Sequence, residues 1–378
     1  MTSTTTDAIV ISGSGLYTPP HAVSNEALVE AFNRWVDLYN EENASAIDAG
    51  QIPAKQYSSC DFIEKASGIK SRYLMSKEGV LDPEVMQPLI PERADDKPSL
   101  MVEMAVAAAE EALREAGREP GEIDLVIVGA SNMPRPYPAL AVELQHYLGA
   151  GGAAFDMNVA CSSATFAIKT AADLLRAGTA RLALVVNPEI CSGHLNFRDR
   201  DSHFIFGDAC TAVLLERAET SRTPHPWELV DARLVTRYSN NIRNNFGFLN
   251  RCSPDTRYGD DKLFVQQGRK VFKEVLPMVS ELVATQLGEA GWGSESLARL
   301  WLHQANLTMN QFIARKVLGQ DATTEQAPVI LDRYGNTSSA GSIIAFHLYN
   351  RDLPVGARGV LCSFGAGYSV GSLLLRRR

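Results

Sequence analysis

The chain has 378 residues, 45% hydrophobic and 21% charged, with a formal net charge of −8. These values fit a globular protein with room for two folding units of ordinary size. The acidic balance argues against nucleic acid as the main partner, and no apolar run approaches the ~18 residues of a membrane span. The opening Met1-Thr-Ser-Thr-Thr-Thr-Asp7 lacks the basic and apolar regions of a signal peptide, which predicts a cytoplasmic protein. The six cysteines are scattered without metal-ligand spacing and read as free thiols, and no metal site is expected.

Taken in chain order, apolar runs bounded by turn residues predict buried strands at 8–12, 125–128, 182–186, 212–215, 300–302 and 359–363. Amphipathic helical patterns fall between them, as at 100–116 and 271–290. The alternation predicts an α/β fold with parallel or mixed sheets. Residues 33–59 and 77–97 look like insertions, and 240–262 forms a third long polar stretch. Segments of that length serve as lids or binding surfaces, so selectivity is expected there.

The chain is also duplicated. Leu113-Arg-Glu-Ala-Gly117 recurs as Leu287-Gly-Glu-Ala-Gly291, an offset of 174 residues that becomes 175 further on. Two halves are therefore expected, 1–218 and 226–378, joined through a proline-containing linker. The offset of 175 brings Cys161 and Asn336 to matching places, each opening an apolar stretch rich in small residues.

Cys161, in Asn158-Val-Ala-Cys-Ser-Ser-Ala, is expected at a helix start, where the macrodipole would lower its pKa and favour the nucleophilic thiolate. The alternative is a small core cysteine. His303 follows the strand at 300–302 in His-Gln-Ala-Asn, where a histidine can be aimed into a cleft as base or donor. Asn336 offers a neutral amide, or else simply caps a helix. Phe364-Gly-Ala-Gly367 either presents backbone N–H groups to an oxyanion or makes a tight turn.

Together these residues resemble the β-ketoacyl-ACP synthase III family of thiolase-fold condensing enzymes. The resemblance runs from Val10-Ile-Ser-Gly-Ser-Gly to Gly371-Ser-Leu-Leu-Leu. It includes Ser67-Gly-Ile-Lys-Ser-Arg72, Phe206-Gly-Asp208, His303-Gln-Ala-Asn306 and Gly335-Asn-Thr-Ser338. It implies a duplicated, five-layer αβαβα fold, a homodimer, and no cofactor beyond the substrates acyl-CoA and malonyl-ACP. Cys161 would carry the acyl group, and His303 and Asn336 would stabilise the enolate formed on decarboxylation. The N–H groups of Cys161 and Ala366 would form the oxyanion hole.

The resemblance also places an aromatic residue and an arginine at the CoA adenine. Here Phe62 fills the first position and Ala66 the second. Where the family has an arginine for acyl carrier protein, this chain has Thr308, although Lys273, Arg315 and Lys316 keep neighbouring basic positions. Those three form a docking rim or a solvated helix face. A degradative thiolase would need histidine at Asn336 and a second cysteine nearer the C-terminal glycines than Cys362. Two other readings are a related synthase of secondary metabolism and a non-catalytic acyl-binding subunit. The latter has no reason to keep cysteine, histidine and asparagine together.

Overall fold

A computed structural model describes residues 8–245 and 247–378. Residues 1–7, on which the cytoplasmic expectation rests, lie outside the described residues. The first half contains β1 (Ile9–Tyr17), β2 (His21–Ser24), α1 (Asn25–Glu42), α2 (Ala44–Asp48), α3 (Cys60–Ser67), β3 (Ser71–Leu74) and α4 (Leu100–Ala116). It continues with β4 (Leu125–Gly129), α5 (Leu140–Leu148), β5 (Ala153–Met157), α6 (Ser163–Arg176), β6 (Leu182–Glu189) and β7 (Ala209–Arg217). The second half contains β8 (Trp227–Ser239), β9 (Ile242–Arg243), β10 (Val265–Gln266), α7 (Gly268–Glu289), β11 (Leu297–Leu302) and α8 (Leu307–Leu318). It ends with α9 (Leu331–Tyr334), α10 (Ala340–Leu348), β12 (Arg358–Gly365) and β13 (Gly367–Arg377).

Nine strands form one mixed sheet in the order β11-β12-β13-β8-β1-β7-β6-β4-β5. The seam between halves, β1 against β8, is only two residue pairs long, Val10 with Glu228 and Ile11 with Trp227. The two half-sheets enclose α6 and α10. Alternating strand residues face opposite layers, because side chains on a strand point to opposite faces with a period of two. Leu125 and Ile127 pack inward with Ala167 and Ile168 of α6, and Leu361 and Leu373 with Ile343 and Phe346 of α10. Val126 and Val128 face outward to α4 and α5. Val360 and Leu374 face outward to α7 and α8. The layers are thus α4/α5, half-sheet, α6/α10, half-sheet, α7/α8. Strands buried on both faces read as continuous apolar runs, which is why the sequence displays them so clearly.

The six strands expected from the sequence are all present, each with one or both ends extended. Within the nine-stranded sheet β5, β8 and β13 are additional, and the short strands β2, β3, β9 and β10 form two separate pairs that the sequence does not mark. β8 is thirteen residues long but mixes charge into its run, as Glu228, Asp231, Arg233 and Arg237. β13 carries Gly367 and Gly371. β5 is an edge strand and includes Asp156.

The duplication is visible but unequal. The counterpart of β5 in the second half does not join the ladder. Instead, the Gln304 side-chain oxygen accepts the N–H groups of Ile330 and Leu331 at 3.0 and 3.2 Å. The expected insertions fold over the first half. Asn33 and Asn40 on α1 clasp the returning backbone at Ser58 and Lys55 through paired amide bonds of 2.8–3.1 Å. Phe32 and Val36 of α1 join Phe197, Phe204 and Phe206 in a separate apolar cluster that roofs the cavity described next.

Candidate active site

A cavity of about 500 Å³ opens where the two halves meet, and Cys161, His303 and Asn336 all line it. Cys161 sits in a 3-10 turn (Ala160–Ser162) that leads into α6. Ala160, with φ of +47°, makes the sharp bend that exposes the next residue. The bend is tied by the Asn158 Oδ1, which accepts the Ala160 N–H at 3.0 Å. His303 follows β11 and is held by its N–H donating to Cys362 O at 2.8 Å. Its ring stands edge-on to Phe364, with centroids 5.2 Å apart. Asn336 is fixed through both backbone and side chain. Its N–H donates to Ile205 O at 2.9 Å, its carbonyl accepts from Gly207, and Oδ1 accepts the Ser338 N–H at 2.9 Å. With Oδ1 so used, Nδ2 is the donor left to the cavity.

Two further residues complete the setting. Ser338, at φ +50°, donates its hydroxyl to Cys161 Sγ at 3.5 Å. At Gly365 a β-carbon would lie 2.6 Å from Cys161 Cβ and 3.0 Å from Sγ. The end of β12 therefore closes on the thiol only because position 365 is glycine. Sequence reasoning did not single out Ser338. The small residues after Asn336 were its only signal.

The expectation of a lowered thiol pKa is corrected. Part of Cys161 faces the cavity, but protein encloses the rest, and burial pushes its pKa up to about 11. The Ser338 hydroxyl and the backbone N–H groups of Ala366 and Cys161 act in the opposite direction, and the nearby Glu189 charge adds to the rise. Burial likewise pulls His303 down to about 4, against a hydrogen bond that its ring donates to the Ser338 backbone. At Cys161 desolvation outweighs the favourable helix start, and for both groups it penalises the charged form, which would sit in a dry interior. At neutral pH the site holds a thiol beside a neutral imidazole.

The rest of His303-Gln-Ala-Asn306 is structural. Gln304 makes the clamp described above, and the Asn306 side chain caps α8 by accepting from Thr308 and Met309. Its Nδ2 reaches Ala66 O at 2.7 Å, latching α8 to α3 of the other half. Cys362 lies in the core against α7 and α8, with its pKa pushed up to about 12 by burial.

The remaining site residues lie outside the cavity. Phe62, on α3, lines a larger neighbouring space of about 1540 Å³ that adjoins the first along Ala66, Phe204, Phe264 and Arg269. No cation stands at Ala66, but one from another element lies beside Phe62. The Arg200 guanidinium lies 4.0 Å from the Phe62 ring centroid, its Nε donating to Tyr57 O. No local pattern marks this contact, since the two residues are far apart in the chain. All three long polar segments contribute to this space, through Trp35 and Lys55, through Met86, and through Arg257 and Lys262. Lys273 is exposed on α7, and Arg315 and Lys316 are exposed on α8. The last two lie 5.8 and 5.6 Å from the Phe312 ring, which meets Phe272 at the cavity mouth.

A thiolase-type duplicated fold with cysteine, histidine and asparagine in one interhalf cavity defines a condensing enzyme. The comparisons narrow the class. The family described as 3-oxoacyl-[acyl-carrier-protein (ACP)] synthase III matches residues 155–229, and its C-terminal part matches residues 287–377. A Pseudomonas aeruginosa protein named β-ketodecanoyl-[acyl-carrier-protein] synthase is 59% identical over 349 residues, covering 92% of this chain and 100% of that one. The β-ketoacyl-[acyl-carrier-protein] synthase III of Bordetella petrii is 29% identical over 374 residues, 97% of each chain. The crystal structure of the Aquifex aeolicus 3-oxoacyl-[acyl-carrier-protein] synthase III superimposes with a TM-score of 0.75 and 26% identity, over 97% of this chain and 99% of that one. The chain belongs to the β-ketoacyl-ACP synthase III family of condensing acyltransferases.

Two outcomes follow from the site geometry. With a thiol pKa near 11, alkylation of Cys161 by iodoacetamide should still rise about tenfold per pH unit between pH 7 and 9, because the thiolate is the reactive form. A plateau below pH 8, read by intact-protein mass, would show a pre-formed thiolate instead. Gly365→Ala places a methyl group within 3.0 Å of Sγ and should slow acyl transfer to Cys161 about 100-fold, as small misplacements of reacting groups do. Acylation at the wild-type rate would show that β12 gives way at no cost.

Proposed function

We propose that the enzyme joins an acyl group, taken from acyl-CoA onto Cys161, to a two-carbon unit from malonyl-ACP, releasing carbon dioxide and β-ketoacyl-ACP for fatty-acid synthesis. One observation carries this reading: Cys161, His303 and Asn336 line a single cavity, with the backbone of the Gly365 turn against the thiol. In the first step the Cys161 sulfur attacks the acyl-CoA carbonyl. The oxyanion is held by the N–H groups of Cys161 and Ala366, which already surround Sγ. Collapse expels CoA thiolate, which takes up the proton lost by Cys161.

Malonyl-ACP then enters with its thioester oxygen toward His303 and the Asn336 Nδ2. Neither donor titrates in the working range, since burial keeps His303 neutral and an amide has no charge to lose. Loss of carbon dioxide leaves an enolate at that oxygen. Its carbon attacks the acyl carbonyl on Cys161, and collapse returns the thiolate to be reprotonated. These side chains and the two thioester substrates suffice for every step.

Phe62 and Arg200 are read as the adenine grip, with the cation supplied by another element than in the family pattern. For the primer, the name of the 59% identical relative is informative. A ten-carbon β-ketoacyl product is built from an eight-carbon acyl group and two carbons of malonate. The apolar lining of Phe206, Ile242, Phe264 and Val275 suits such a chain, each buried methylene contributing about 0.8 kcal/mol. A panel of acyl-CoA lengths with malonyl-ACP should give the highest kcat/KM well above acetyl-CoA, with no condensation by Cys161→Ala. Acetyl-CoA at the top of the ranking would overturn the primer assignment. Condensation onto acceptors other than malonyl-ACP would favour a secondary-metabolic enzyme.

Carrier docking is assigned to the surface where Phe272 and Phe312 meet beneath Lys273, Arg315 and Lys316. An apolar centre with a cationic rim fits an acidic carrier, and local charge matters more here than the net negative charge. Reversing all three charges should raise KM for malonyl-ACP about tenfold, in keeping with the modest energy of rim charges, while leaving Cys161 acylation by a small thioester unchanged. Equal loss of both activities would show a structural role. A homodimer is supported by β5, an edge strand with one side of its ladder unpaired, and by the exposed Val142 and Tyr147 on the α5 helix packed against it.

A further inference from the structure

Glu189 ends β6, is 1% exposed, and takes part in no step described above. It does not line the cavity, so it touches no substrate. Every group around its carboxylate is a donor. Oε1 accepts the N–H of Ser131 at 3.0 Å and of Ser339 at 3.2 Å, and the Ser339 hydroxyl also lies against it. Oε2 accepts the Ser131 hydroxyl at 2.6 Å, with the Cys191 thiol 3.8 Å away. Burying a carboxylate is costly unless donors surround it in this way.

The bonds run in two directions. Ser131 O accepts Asn158 Nδ2 at 2.9 Å, and Asn158 Oδ1 accepts the N–H of Ala160, the bent residue before Cys161. On the other side, Ser339 follows Ser338, whose hydroxyl reaches Cys161 Sγ and whose N–H holds Asn336 Oδ1. The tie is one-sided. At the repeat offset of 175 residues Glu189 corresponds to Phe364, a ring packed against His303.

We propose that Glu189 is a positioning residue that sets the distance between the turn bearing Cys161 and the turn bearing Asn336 and Ser338. This rests on the condensing reaction assigned above. The enolate forms on one turn and must attack an acyl group on the other. If that spacing slips, the enolate is protonated by water before it reacts. Malonyl-ACP and a proton then give acetyl-ACP and carbon dioxide, with the acyl group still on Cys161. Uncoupled decarboxylation is thus the specific signature of a lost tie.

The test compares wild type with Glu189→Gln, whose amide must turn N–H groups toward donors that need an acceptor. Carbon dioxide release and β-ketoacyl-ACP formation are measured together, with thermal unfolding as a control. Wild type should give nearly one carbon dioxide per condensation. Glu189→Gln should condense about tenfold more slowly, as misplacement of reacting groups does, and release several carbon dioxides per product, with KM for malonyl-ACP unchanged. Ser339→Ala removes one donor with less disturbance and should shift the ratio in the same direction; it serves alone if the glutamine variant does not fold. A ratio that stays near one in the folded variants, whatever the fall in rate, would overturn the proposal. Wild-type protein that forms no β-ketoacyl-ACP would overturn the functional reading instead.

Discussion

The site depends on one close approach: the backbone at Gly365 lies nearer to Cys161 than any side chain would permit. Each partner in that contact belongs to a different half of the duplicated chain, so the contact is complete only when the two half-sheets have closed over α6 and α10. The closing force is ordinary burial. Ala167 and Ile168 on α6, and Ile343 and Phe346 on α10, are wholly or almost wholly excluded from water and share one cluster with strands from both sides. The two-pair seam between β1 and β8 is too short to set the geometry by itself. The middle layer sets it, and the chemistry inherits the precision of a packed core rather than of a loop.

The same burial sets the protonation states. A thiol near 11 and an imidazole near 4 are the reverse of an ion pair between the two. A resting thiolate would suit a nucleophile working alone. In the proposed reaction the imidazole also serves decarboxylation, where a developing negative charge on the thioester oxygen needs a donor that does not hold a permanent charge of its own. Keeping both groups neutral lets one dry site serve both steps. In that reading the hydrogen bonds from Ser338, Ala366 and Cys161 itself are aimed where charge appears during reaction, which is how a site favours a transition state over its ground state.

Much of this was legible in the sequence because it obeys local rules. Buried parallel strands such as β4 and β6 appear as uninterrupted apolar runs, and the repeat at 175 residues aligns Cys161 with Asn336. β8 escaped because its charged residues break the alternation, although its partners on both sides keep it in the sheet. Arg200 escaped for a different reason. Its place over Phe62 is a tertiary contact between residues separated by most of the first half, and no periodicity records it. The thiol pKa was misjudged because a helix start is visible in a sequence while the depth of burial around it is not. Ser338 lay in plain view beside Asn336, but a serine in a run of small residues reads as packing until the fold aims its hydroxyl at sulfur.

The two halves have diverged in a way that assigns them separate work. The first keeps five strands in the sheet, carries Cys161, and is overlaid by α1 and the polar segments that enclose the larger space beside the cavity. The second keeps four strands, and where the fifth would run, Gln304 pins the backbone at Ile330 and Leu331 instead. Freed from the ladder, the chain just beyond can form the turn through Gly335 that brings Asn336 alongside Phe206 of the first half. That bridge carries Asn336 of the second half to the cavity that Cys161 of the first half also lines.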